Sequence, residues 1–154
     1  MAAARRKGAS RREVLAGGGC ALLLAAQPAF ATTDEMEAAI RAFVGEGQIK
    51  EGKVKIDVPP LVENGNTVPL TVSVESPVST SDFVRAIAVF NEKNPQPNVA
   101  VFHLGPRAGR ASVSTRMRLA TSQNLVAVAE LSVGSFWSNK VEVIVTLAAC
   151  VEDT

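Results

Sequence analysis

The chain reads as an all-β protein: an immunoglobulin-like antiparallel β-sandwich with a short N-terminal helix. Three observations predict this. About seven short runs alternate apolar and polar residues with a period of two, as half-buried strands do. Clusters of Gly, Pro and Asn separate the runs at the spacing of sandwich turns. Of the 154 residues, the first 31 read as a leader, and the remaining 123 suffice for one core and one domain. A small closed barrel with the same strand spacing is the runner-up.

The leader comes first. Arg5, Arg6, Lys7, Arg11 and Arg12 precede a short apolar stretch that closes Pro28-Ala29-Phe30-Ala31. A basic start, an apolar middle and an Ala-x-Ala end make a secretory signal peptide, with cleavage expected after Ala31. The apolar run is too short to span a bilayer. Ser10-Arg11-Arg12-Glu13-Val14-Leu15 lies just ahead of it and has the twin-arginine form, which directs folded proteins to the periplasm. Two arginines in an ordinary secretory signal are the alternative. Cys20 precedes most of the apolar run and has Gly17 where a lipoprotein site has Leu, so no lipid anchor is expected. Removing the leader takes away five of 16 basic and one of 15 acidic residues, turning a net charge of +1 into −3. No basic excess is left to draw the protein to nucleic acid or anionic lipid.

Residues 32–47 form the helical segment. Met36, Ala39, Ile40 and Phe43 recur at helical spacing, acids load the first turn, and Gly45 and Gly47 close it. The apolar stripe is expected to cover the edge of the domain or a partner. Residues 48–147 form the sandwich. Val54, Ile56 and Val58 alternate with polar residues until Pro59-Pro60, and Glu63-Asn64-Gly65-Asn66 reads as a turn. Val68, Leu70, Val72 and Val74 then repeat the pattern. Phe83–Phe90 is apolar on both faces except at Arg85, which marks a central strand. Further strands are predicted at Val99–Leu104, Ser112–Leu119, Asn124–Leu131 and Phe136–Leu147.

Most catalytic chemistry is missing from the pattern. After the leader one His and one Cys remain, short of the ligands a zinc site needs. No haem-attachment motif, phosphate loop or Gly-x-Ser-x-Gly elbow occurs, and no cofactor is implied. His103 reads as a histidine on a sheet face, with assistance to a thiol as the alternative. Arg116 and Arg118 share one face of their strand, opposite Met117 and Leu119. Two arginines so placed suit a solvated face, an anion held bidentately, or carboxylates of a partner chain.

Residues 148–154, Ala-Ala-Cys-Val-Glu-Asp-Thr, form a tail after the last strand. Its Cys150 has no partner thiol in the exported chain, which is unusual in an oxidising compartment. It is either a packed small apolar residue or a reachable thiol. The charged neighbours and the small Ala148 and Ala149 favour the second.

Phe83–Phe90 with the turn Asn91-Glu92-Lys93-Asn94-Pro95-Gln96-Pro97, Val101-Phe102-His103-Leu104-Gly105-Pro106, Val113–Ala120 and Val143-Ile144-Val145-Thr146 together resemble the SoxY family. The twin-arginine leader fits the same family. The resemblance implies an immunoglobulin-like sandwich paired with a SoxZ-like subunit in the periplasm. It implies a non-enzymatic carrier for thiosulfate oxidation. The thiol, at Cys150 here, holds sulfur intermediates for SoxAX, SoxB and, in many systems, SoxCD. One feature departs from the family pattern. The family tail is Gly-Gly-Cys-Gly-Gly, whereas Cys150 is flanked by Ala148, Ala149, Val151 and Glu152. An interaction module whose cysteine no longer carries sulfur is the alternative.

Overall fold

A computed structural model describes residues 32–76 and 79–147. The leader, Pro77-Val78 and the tail with Cys150 lie outside the described residues. The elements are α1 (Thr33–Val44), β1 (Ile49–Glu51), β2 (Val54–Asp57), β3 (Leu61–Asn64), β4 (Val68–Val74), β5 (Val84–Asn91), β6 (Asn98–His103), β7 (Ser112–Met117), β8 (Gln123–Leu131) and β9 (Phe136–Leu147). They form two facing sheets. The larger has the order β1-β9-β8-β5-β6 with β3 also on β9, and the smaller has the order β2-β4-β7.

Strand alternation sorts the core. Leu70 and Val72 of β4 face Ile87 and Val89 of β5, Leu125 of β8 and Val143 of β9, all buried in one cluster. The opposite face of the larger sheet is apolar as well, with Ala88, Phe90, Val126 and Val128 buried there. Helix α1 covers it, which is why β5 reads as apolar on both sides. The stripe predicted for an edge or a partner therefore lies on a sheet face, with Met36 and Val44 buried. Phe43 meets Phe90 and Phe136 edge-on, with centroids 6.2 and 6.1 Å apart.

The helix ends are set locally. Thr32 is the N-cap: its hydroxyl accepts from Glu35 N–H, and its own N–H donates to the Glu35 carboxylate at 2.9 Å. Gly45, at φ +58°, ends the helix and donates to the Arg41 carbonyl. At Gly47 a Cβ would overlap the Phe136 ring, so only glycine lets the chain pass beneath it.

Two short strands differ from the predicted pattern. β1 and β3 both pair parallel to β9, at Phe136–Ser138 and at Ile144–Leu147 respectively. Glu63 and Asn64, read as the start of a turn, are the end of β3, and the turn proper is Gly65-Asn66. Between β1 and β3 the chain dips into the smaller sheet as β2, and Asn139 Nδ2 donates to the Val54 carbonyl where it passes. The long β9 thus organises one whole edge. The remaining pairings are antiparallel.

Candidate functional site

The register brings several chain ends to one pole of the sandwich. Asn91, at the end of β5, lies opposite Leu125, and Gln123, at the start of β8, lies opposite Val143. The end of β9 projects from that pole. It is tied down until its last residue. Ser122 Oγ accepts from Val145 N–H at 2.9 Å, and Thr146 Oγ1 donates to the Glu63 carbonyl at 3.2 Å. The Leu147 carbonyl accepts from Gly65 N–H at 2.9 Å, and the Gly65 carbonyl accepts from Leu119 N–H at 2.9 Å. Gly65 therefore links the end of β9 to the segment following β7. Cys150 follows Leu147 by three residues, outside the described part of the chain.

Arg116 and Arg118 stand at the same pole. Both are exposed, while Met117 and Leu119 between and beyond them are buried, as the alternation predicts. Among the described residues neither has an ion pair; the pairs formed are Arg41 with Glu37 and Arg85 with Glu130. The two arginines border a cleft of about 300 Å³, completed by Asn94, Gln96, Asn98 and Val99.

A polar network behind the cleft fixes its wall. Asn94 Nδ2 donates to the Arg118 carbonyl at 2.8 Å, and Asn94 Oδ1 accepts from Ala120 N–H and Gln123 Nε2, each at 2.9 Å. Asn91 Oδ1 accepts from Asn94 N–H at 3.0 Å, and Gln123 Oε1 accepts from Lys93 N–H at 2.8 Å. Asn91 and Gln123 are fully buried, and their hydrogen bonds offset the cost of desolvating them. This network is hidden in the sequence because Asn91–Asn98 reads simply as a turn. The signal available was an Asn at i and i+3 in a proline-containing loop, a pairing that favours local side-chain to backbone bonds.

On the other side of this pole Glu92 joins the sheet to the helix. Its carboxylate accepts from Thr33 Oγ1 at 2.8 Å and from Asn124 N–H and Nδ2 at 3.2 and 2.9 Å. These donors, Thr33 first, hold its pKa below the usual glutamate value, against a smaller opposing effect of burial. His103 is elsewhere. It is exposed at the end of β6, opposite Ala86 near the start of β5, and so at the other pole from Leu147. The structure thus separates the histidine from the tail's point of exit. Among the described residues no group of three or more His, Cys, Asp or Glu is placed to hold a metal.

Comparison with known proteins joins this geometry to a family. A model of the family described as sulfur oxidation protein SoxY matches residues 40–150. The sulfur carrier protein SoxY from Chlorobium limicola f thiosulfatophilum has a similar structure, with a TM-score of 0.64 at 34% identity. The match covers 75% of this chain and 100% of that one. Superoxide reductase (neelaredoxin) from Ignicoccus hospitalis matches with a TM-score of 0.55 at 19% identity, over 75% of this chain and 94% of that one. Superoxide reductase from Nanoarchaeum equitans matches with a TM-score of 0.52 at 13% identity, over 62% of this chain and 100% of that one. The likeness to the reductases extends to the fold alone. No curated protein matches the chain. The family match takes in the end of the helix from residue 40, both sheets and the residues up to Cys150, and on it the chain belongs to the SoxY family of sulfur oxidation proteins.

Proposed function

We propose that the protein is a periplasmic sulfur carrier that holds thiosulfate-derived groups covalently on Cys150 and presents them to separate enzymes. A carrier role in sulfur oxidation follows from the family. The observation that supports Cys150 as the attachment point is its place in the chain. The last strand is hydrogen-bonded through Leu147, and the thiol follows three residues later, within the matched region. A thiol so placed lies up to ~10 Å along the chain from the fold.

The chemistry asks little of the carrier itself. Thiosulfate and the thiol form a sulfur–sulfur bond, releasing one proton and passing two electrons to a haem enzyme of the SoxAX type. Water then cleaves the terminal sulfonate as sulfate with loss of two protons, leaving a persulfide anion on Cys150, at an enzyme of the SoxB type. Where a SoxCD-type enzyme exists, it takes six electrons from the outer persulfide sulfur while three waters supply the oxygens of a sulfonate, and a second hydrolysis of the SoxB type releases sulfate and restores the thiol. The carrier supplies only the thiolate and its position. A SoxZ-like subunit is its proposed stable partner. The exposed apolar pair Leu61 and Ile144, adjacent in register on β3 and β9 beside the exit, supports a partner surface there.

Export by the twin-arginine route with cleavage after Ala31 is part of the proposal. The residue that would become the mature N-terminus, Thr32, is the N-cap of α1. A second reading, an interaction module without sulfur on its thiol, is favoured by one observation: Ala148, Ala149, Val151 and Glu152 replace the family's flexible glycines. The experiment is intact mass after incubation with thiosulfate and an active haem enzyme of this type. Wild-type protein is expected to gain a sulfur-containing adduct and Cys150→Ser to gain none. An unmodified wild-type protein would leave the module reading.

A further inference from the structure

The cleft beside Arg116 and Arg118 is left open by the described residues, and the segment leaving the fold next to it is acidic. Two hydrogen bonds and a single glycine separate the Leu147 carbonyl from Leu119, the residue after Arg118. Beyond Leu147 the chain reads Ala148-Ala149-Cys150-Val151-Glu152-Asp153, with no Lys or Arg among these residues. Glu152 and Asp153 can extend up to ~17–21 Å from Leu147, which leaves the fold at the pole that also carries the cleft. We propose that this cleft docks the chain's own C-terminal segment, with Glu152 and Asp153 against Arg116 and Arg118. Cys150 is then held against the pole instead of swinging freely.

Charge and preorganisation carry the argument. Arg116 and Arg118 have no carboxylate partner among the described residues. Glu92, the acid of the adjoining loop, is engaged on the helix side by Thr33 and Asn124. The wall of the cleft is already fixed, since Asn94 grips the Arg118 carbonyl and the Ala120 N–H. The ordering cost of docking therefore falls on the tail. Exposed arginine–carboxylate pairs each shift such an equilibrium by roughly 1.5- to 5-fold, and two together by roughly 2- to 30-fold at low salt. Attraction of this strength biases the tail towards the cleft and still releases the thiol to a competing partner or to salt. This inference does not depend on what Cys150 carries.

The test uses the full chain with Cys20→Ser, so that Cys150 is its single thiol. Side-chain Nε–Hε signals of Arg116 and Arg118 are followed by NMR. Glu152→Gln with Asp153→Asn is expected to move both signals and to leave those of Arg107 and Arg110, on the β6–β7 loop at the other pole, in place. A neutral thiol reagent is expected to label Cys150 roughly two- to tenfold faster in Arg116→Gln with Arg118→Gln, a difference lost on the order of 0.5 M salt. Unmoved arginine signals overturn the proposal. Signals that ignore the tail substitutions yet respond to added thiosulfate also overturn it, and would make the cleft a site for free anions. Thiosulfate coupling to Cys150 is read separately by mass, so a failed latch and a failed carrier give different results.

Discussion

Asn94 shows how one side chain can hold two loops together. Its amide spans the β5–β6 loop, the carbonyl of Arg118 and the N–H of Ala120, and meets buried Gln123. Asn94→Ala leaves those groups unpaired in a part-buried site. We expect a loss of about 1–3 kcal/mol in urea unfolding, with chemical-shift changes concentrated at residues 116–124. The exposed setting of Arg116 and Arg118 was legible because the alternation of β7 carries on past its last residue, Met117, to Leu119. The amide network was not, because Asn94 finds its partners 24–29 residues away. Nothing in a local window marks Gln123 as buried; only the closure of the pole takes it from water.

The helix was legible from its stripe and acidic first turn, but its seat was not. An amphipathic pattern says that a face must be covered, and the apolar outer residues of β5 and β8 identify that cover only once the strands are paired. β1 and β3 escaped for a different reason. Each is three or four residues long and mostly exposed, so neither shows a period, and both are fixed by parallel pairing with β9 far along the chain. Glu92 fastens the start of the helix to this sheet, and its lowered pKa makes that attachment sensitive to acid. A depressed carboxylate contributes stability that is present above its unfolded value and lost as pH falls through the folded one. Glu92→Gln should therefore be less stable than wild type near pH 7. The gap should close as pH drops below the ordinary glutamate range, about 4.3, when thermal melts are compared across pH.

At the scale of the molecule, the two poles have separate occupations. One carries His103 and the Arg107–Arg110 loop; the other gathers the arginine cleft, the buried amides and the end of β9. The exposed Ile144 and Leu61 lie beside that second pole, 51% and 57% accessible. Ile144→Lys should weaken association with a SoxZ-like subunit by tenfold or more in calorimetry, while leaving the melting temperature of the isolated chain nearly unchanged, as expected for a central apolar contact. An unaltered affinity would place the partner elsewhere. The tie between Leu147 and Gly65 also bears on how any visiting enzyme must come in. Because the strand is anchored to its final carbonyl, Cys150 lies at most ~10 Å along the chain from that fixed point. On the proposed carrier role, each enzyme that works on the bound group has to bring its reaction centre within that reach, and so successive enzymes must take turns at the same doorstep.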